Sequence, residues 1–304
     1  MKRILVFSSI VFMYFNSLSF AQGTKFKVLA LKGKILIGFD NSNHWIPLTL
    51  GTEITTKEKI KVDKNSYLGL AFFPEGIMEI KNSGEYDFEG LTDIFRKNYH
   101  TVDKKFSSYI FSELEKKISR IKEMRQMGAT IRLRPNYIVS ALPASFCTID
   151  SIIEFKWYPV SGSSDYIFKL MNSSNRTVFM KEINDTSITV NLAPLFLEDD
   201  STYKWYIYDN TDPSVSSDTN NFTKFSKLKA EAINDSLKEL KNTLGDEYSA
   251  LNQIIYSEFF QRNQLNIEAL KALEKAVELE PSVEAYNRML DEFLNNMRII
   301  KMSE

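Results

Sequence analysis

The chain is poor in the residues that build metal sites and covalent frameworks, with one Cys and two His among its 304 residues. A lone thiol cannot close an internal disulfide, and so few imidazoles and thiols do not make a His/Cys-rich metal centre. An excess of either charge is also missing. Lys and Arg number 38 against 39 Asp and Glu, a formal net charge of −1 at pH 7. That balance removes the electrostatic footprint of a nucleic-acid binder, or of a protein held on an anionic membrane by charge. Beyond the amino-terminal segment, no apolar run approaches the ~20 residues that a membrane-spanning helix needs. Catalytic motifs are missing too: there is no G-x-S-x-G elbow, no H-E-x-x-H helix and no phosphate-binding glycine loop. His44 lies in a polar turn beside Trp45, and His100 sits at an expected helix start. Neither has a nucleophile or metal ligand beside it. Asp199-Asp200 precede a strand, where adjacent acids serve as turn residues. The expectation is a non-enzyme with no metal and no cofactor.

What is present begins with an address. Met1-Lys2-Arg3 is cationic, Ile4 to Phe15 is apolar except for Ser8 and Ser9, and Asn16 to Ala21 turns polar and ends on a small residue. This is the pattern of a secretory signal peptide over residues 1–21, cleaved between Ala21 and Gln22. The apolar run is too short to cross ~30 Å of hydrocarbon comfortably. The expected location is therefore the periplasm, with the cell surface or secretion as alternatives. Export gives Cys147 an oxidising setting, but its surroundings, Ala144 to Ile149, read as strand, and a small buried hydrophobe is the expectation there.

The body of the chain divides by period. Over residues 22–100 short alternating runs are broken by turn residues, as in Phe26, Val28 and Ala30 or Ile35 and Ile37, and Pro74-Glu75-Gly76 marks a tight turn. A small all-β unit is expected. Over 101–130 the period changes: Phe106, Ile110, Leu114, Ile118, Ile121 and Met124 recur at three and four residues, giving an amphipathic connector helix. Over 131–225 strands return, at Tyr137–Ser140, Ile152–Tyr158, Tyr166–Met171, Arg176–Lys181, Ser187–Leu192, Tyr203–Tyr208 and Asn221–Phe225. Seven short strands suit an immunoglobulin-like sandwich. Over 226–304 the pattern is helical, with stripes at Ile233/Leu237/Leu240/Leu244, Leu251/Ile255/Phe259, Leu270/Leu273/Val277 and Val283/Tyr286/Leu290/Phe293/Met297.

Three resemblances follow from these residues. Gly33, Trp45-Ile46-Pro47-Leu48, Gly51, Ile54, Ile60, Ser66, Leu70, Phe72, Gly76, Met78 and Ile80 stand in the order of a FecR-type domain, so the first unit resembles that family of bacterial envelope proteins. The family's namesake relays an uptake signal across the inner membrane. No internal membrane span is read here, so the resemblance implies the β module without the signalling part. Phe155-Lys156-Trp157-Tyr158-Pro159-Val160 followed by Tyr166 is similar to the second and third strands of fibronectin type III domains. Leu197, six residues before Tyr203, has the spacing of a tyrosine corner, in which the phenol bonds back to upstream backbone. Ala269, Leu273, Ala276 and Pro281, with Phe260 before them, resemble a tetratricopeptide (TPR) unit, with Ser257 where that family prefers glycine. Only one and a half units are visible, so the helices are expected to lean on one another and on the sandwich.

The functional expectation is a scaffold or accessory protein of the cell envelope that binds another envelope protein. Leu290, Phe293 and Met297 share one stripe of the last helix and are the candidate partner-binding residues. The alternative is a glycan or peptidoglycan binder. Its candidate residues are Tyr206 and Tyr208, which alternation places on the outer face of a sandwich strand whose inner face carries Tyr203, Trp205 and Ile207.

Overall fold

The computed structural model describes residues 25–39, 44–73, 75–98, 116–120, 137–244 and 248–299. The expected signal peptide with Ala21 and Gln22, His100, and the expected connector helix apart from residues 116–120 lie outside the described residues. No described helix is long and apolar enough to cross a membrane.

The first unit contains β1 (Lys25–Lys32), β2 (Ile35–Phe39), β3 (Trp45–Pro47), β4 (Glu53–Ile54), β5 (Glu58–Val62), β6 (Tyr67–Phe73), β7 (Gly76–Ile80) and β8 (Gly84–Asp87). They form two antiparallel four-stranded sheets, ordered β4-β1-β6-β7 and β3-β2-β5-β8. Alternation drives Phe26, Val28, Leu68, Leu70, Phe72 and Met78 of one sheet and Ile35, Ile60 and Val62 of the other into a shared core. Gly33 turns the chain at φ +84°, and a Cβ there would stand 2.5 Å from the Ser66 hydroxyl oxygen. Only glycine combines that backbone conformation with so close an approach.

The unit is not all-β. α1 (Phe88–Asn98) follows β8 directly, and its Phe88, Leu91 and Phe95 enter the same core. Asp87 accepts a hydrogen bond from the Gly90 N–H at 2.7 Å, meeting one of the amides that a helix start leaves unpaired. The strand pattern gives out at Asp87 because the apolar spacing changes to three and four residues.

The second unit contains β9 (Ser145–Thr148), β10 (Ile152–Lys156), β11 (Tyr166–Met171), β12 (Thr177–Ile183), β13 (Ser187–Asn191), β14 (Ser201–Asp209) and β15 (Asn220–Lys224). A five-stranded sheet, β12-β11-β14-β15-β9, packs on the β10-β13 pair. Phe155 of β10 lies at the centre, 4.7 Å from the Phe168 ring and 4.9 Å from Trp205. The expected first strand at Tyr137–Ser140 is reduced to isolated bridges, Tyr137 to Ser216 and Ser140 to Trp157. The regular first strand is instead β9, which runs parallel to β15. The tyrosine-corner bond is present: the Glu198 N–H donates to the Tyr203 hydroxyl at 2.7 Å.

The helices are α2 (residues 116–120), α3 (Lys227–Leu244), α4 (Ala250–Arg262), α5 (Asn266–Leu279) and α6 (Glu284–Met297). Ala269, Leu273 and Ala276 of α5 are fully buried, so small residues let α5 pack closely in the helical layer. Ser257 is also fully buried, and its hydroxyl donates to the Ile254 carbonyl at 2.7 Å, which meets the polar group within the helix.

These helices are not a terminal appendage. One apolar cluster runs from Leu29, Ala30, Tyr67, Ala71 and Ile77 of the first unit, through Ile118 and α3 to α6, to Cys147 and Phe225 of the second. The β4-β1-β6-β7 sheet is therefore buried on both faces, one against its partner sheet and the other against helices. That explains the near-continuous apolar sequence of β6, Tyr67-Leu68-Gly69-Leu70-Ala71-Phe72.

Candidate interaction site

Where the helices meet the first unit, a polar cluster is set into the apolar contact. Tyr67 projects from β6 and Tyr286 from α6, and their hydroxyls lie 2.7 Å apart. The Tyr67 hydroxyl donates to Glu79 Oε1 at 2.7 Å. A phenol has one proton, so Tyr286 must donate to the Tyr67 oxygen, and the bonds run Tyr286 to Tyr67 to Glu79. Glu79 Oε1 also accepts from the Leu251 N–H at 2.9 Å, so a carboxylate from β7 sits at the amino terminus of α4. Lys81 lies 3.3 Å from both Glu79 and Glu280, and Lys32 lies 4.0 Å from Glu280.

The electrostatics follow from burial. Desolvation, and then the neighbouring phenol and Glu79, push the Tyr67 hydroxyl well above its ordinary range. Desolvation does the same to Tyr286. Burial alone would pull the Lys81 ammonium down, but the Glu79 and Glu280 carboxylates reverse it and the net direction is up. The cluster thus holds two neutral phenols and a cation between two carboxylates.

At the other end the helices cover a sheet edge. The Cys147 N–H on β9 donates to the Gln264 carbonyl at 2.8 Å, and the Asn266 amide donates to the Ser145 carbonyl at 2.9 Å. A bare edge strand invites pairing with other chains, and here the α4–α5 turn occupies it. Cys147 is buried as expected, and burial pushes its thiol up, away from reactivity.

The sequence-derived partner stripe needs correction. Leu290 and Phe293 are 4% and 2% exposed within the shared core, and Met297 is partly buried against it. The uncovered face expected of a short helical stack is covered by the rest of the chain, so these residues are a packing stripe. Tyr206 and Tyr208 do lie on the outer face of β14, half-buried. Their rings stack on each other at 5.8 Å, and the Lys169 ammonium lies over Tyr206. Neighbours already take part of the ring surface that a sugar would use.

Asp199 and Asp200 act as turn residues. Asp199 pairs with Lys224, and Asp200 adopts φ 53° and accepts from the Ser226 N–H. His44 is exposed. Among the described residues no group of His, Cys, Asp and Glu is arranged to hold a metal ion. Sequence reasoning missed Tyr67, Glu79 and Lys81. The available signal was a tyrosine and a glutamate on the face of their strands opposite Leu68, Leu70 and Met78.

No protein-family model matches the chain, and no curated protein matches it. Solved structures give faint likenesses. The FN1–FN3 domains of chicken CNTN1 align at 9% identity and TM-score 0.22, covering 66% of this chain and 54% of that one. The BSP domain of a biofilm associated protein aligns at 8% identity and TM-score 0.21, covering 67% and 25%. A beta-1,2-glucanase from Parabacteroides distasonis aligns at 10% identity and TM-score 0.25, covering 84% and 38%. The chain thus spans about half of the first structure's length and less of the other two, and at these scores the likenesses carry no argument about fold family or function.

Proposed function

We propose that the chain is an exported, non-catalytic protein of the cell envelope that serves as a scaffold or accessory subunit and binds another envelope protein. In this reading the first unit is a FecR-like module without a signalling part, the second is fibronectin type III-like, and α4 to α6 are a TPR-like element. The tyrosine-corner bond and the seven-strand arrangement support the second assignment, and the Gly33–Ser66 contact is in keeping with the first.

The observation that carries the reading is the shared core. Two β units, each with a core of its own, are joined through one helical layer whose apolar cluster reaches into both. Turning one unit against the other would expose that cluster, so the outward surfaces are offered at a set spacing. Preorganised surfaces lose less entropy on association, which is what a scaffold requires.

The test is photo-crosslinking in the native cell from positions on each outward β face, with captured proteins identified. Capture of one recurring envelope protein is expected. Reproducible hydrolysis of an ester, peptide, phosphate or glycoside by purified residues 22–304, abolished by a single carboxylate or serine substitution, would overturn the non-catalytic reading. For the glycan alternative, a sacculus pull-down unchanged by Tyr206→Ala with Tyr208→Ala removes the tyrosine face as a sugar platform.

A further inference from the structure

The core contains charges that a purely structural helix packing would leave out. Glu258 of α4 and Glu292 of α6 are only 15% and 11% exposed in their side chains, and both meet cations from α2. Lys117, itself 5% exposed, pairs with Glu258, while Arg120 pairs with Glu292 at 3.5 Å. Between them Ile118, 2% exposed, inserts into the shared apolar cluster. α2 therefore lies across α4 and α6 with a cation–apolar–x–cation turn, Lys117-Ile118-Ser119-Arg120, facing an acidic pair.

That seat is imperfect. Among the described residues, Glu292 Oε2 and the Gln261 amide nitrogen, one turn beyond Glu258, are buried without hydrogen-bond partners. Each such group keeps its desolvation cost uncompensated. The Lys117–Glu258 pair is buried, whereas Arg120 is 62% exposed and reaches Glu292 from the rim. A buried ion pair is often no more stabilising than apolar side chains of the same volume, so the Lys117–Glu258 contact argues for recognition of a basic occupant rather than for added stability. A helix with a donor better placed toward Glu292 Oε2 would bind this face more favourably than α2 does.

We propose that the acidic face shared by α4 and α6 is a protein-docking site for a partner helix carrying a basic–apolar–x–basic turn, and that α2 is its intramolecular occupant, displaced when the partner binds. This rests on the scaffold reading and adds a helical docking face to the outward β faces. The occupant chemistry is set by the segment already seated there and by the charge it meets.

The experiment uses the full chain and a fluorescein-labelled peptide of residues 112–125 as probe, read by fluorescence anisotropy. The tethered α2 competes at high effective concentration, so the intact chain should bind the peptide weakly. Lys117→Glu with Arg120→Glu frees the face and should tighten binding at least about tenfold, because apparent affinity scales with the open fraction. Adding Glu258→Lys and Glu292→Lys to that chain should abolish it. Equal binding by the intact and double-variant chains overturns the proposal. Should the double variant fail to fold, hydrogen exchange on the unaltered chain decides. Excess peptide should raise exchange at residues 117–120, and no rise overturns the proposal. Neither outcome bears on in-cell capture from the β faces, so the scaffold reading stands or falls separately.

Discussion

The hydroxyls of Tyr67 and Tyr286, 219 positions apart in sequence, are 2.7 Å from each other and join β6 to α6. Their rings meet edge to face at 6.1 Å. Because the proton order runs from Tyr286 through Tyr67 to Glu79, the two phenols are not equivalent. Tyr286→Phe removes one donor and leaves Tyr67 its carboxylate, so a loss of about 0.5–1.5 kcal/mol is expected. Tyr67→Phe strips Glu79 of a donor and leaves the Tyr286 hydroxyl buried without an acceptor, for about 1–3 kcal/mol. Urea unfolding of the two variants measures the difference, and the opposite ranking would refute the proton order.

The same cluster predicts a sensitivity to alkali. Tyr67 and Tyr286 have raised pKa values, so above about pH 10, where unfolded tyrosines ionise, the folded state retains protons that the unfolded state has released. Stability then falls as pH rises. Lys81 acts in the same direction, since a raised lysine pKa contributes fully below the unfolded value and is lost as pH climbs through the folded one. Spectrophotometric tyrosine titration should show two phenols ionising only together with loss of the contact between the first unit and the helices. Tyr67→Phe with Tyr286→Phe should remove that late step.

Gly69 sets how closely the helices approach. A Cβ there would lie 3.4 Å from Ala30 Cβ and Leu251 Cδ2, and 3.6 Å from the Tyr286 oxygen, which are ordinary contacts. Gly69→Ala should therefore fold with stability close to the parent. Gly69→Leu has no room and should part the sheet from α4 and α6, costing about 1–3 kcal/mol or more. Limited proteolysis would reveal the parting, and equal resistance of the two variants would count against the close contact.

Phe293 and Leu290 are core residues, so truncating them should act on folding. Phe293→Ala is expected to cost about 3–5 kcal/mol and Leu290→Ala about 2–5 kcal/mol. Deleting residues 283–304 should abolish cooperative folding of the whole chain, as circular dichroism melting would show. Retention of folding with selective loss of partner capture would restore α6 as a docking helix.

Much of the architecture was readable because local periodicity is a local signal. The period-two runs located β1, β2, β11 and β14, the three-and-four spacing located α3 to α6, and the Leu197–Tyr203 spacing pointed to the corner bond. What sequence did not disclose was which faces meet. Leu29, Tyr67, Ala71 and Ile77 look like the solvent side of strands until α4 and α6 cover them. Leu290 and Phe293 look like an open stripe until the same layers close over it. Partners more than 170 positions apart leave no periodic trace of their pairing, and a tyrosine or glutamate that faces a buried helix reads like one that faces water.

The helical layer holds the two β units in one relative placement through the apolar cluster that reaches both, and an interunit distance measurement probes that placement. Spin labels on Lys64→Cys in the first unit and Ser173→Cys in the second occupy exposed turns, while buried Cys147 stays unlabelled. Pulsed electron–electron resonance on this doubly labelled chain should give one narrow distance distribution, which broadens when Tyr67→Phe and Glu79→Ala are added. A broad or multi-peaked distribution in the chain without those two substitutions would mean that the helical layer does not hold the units together.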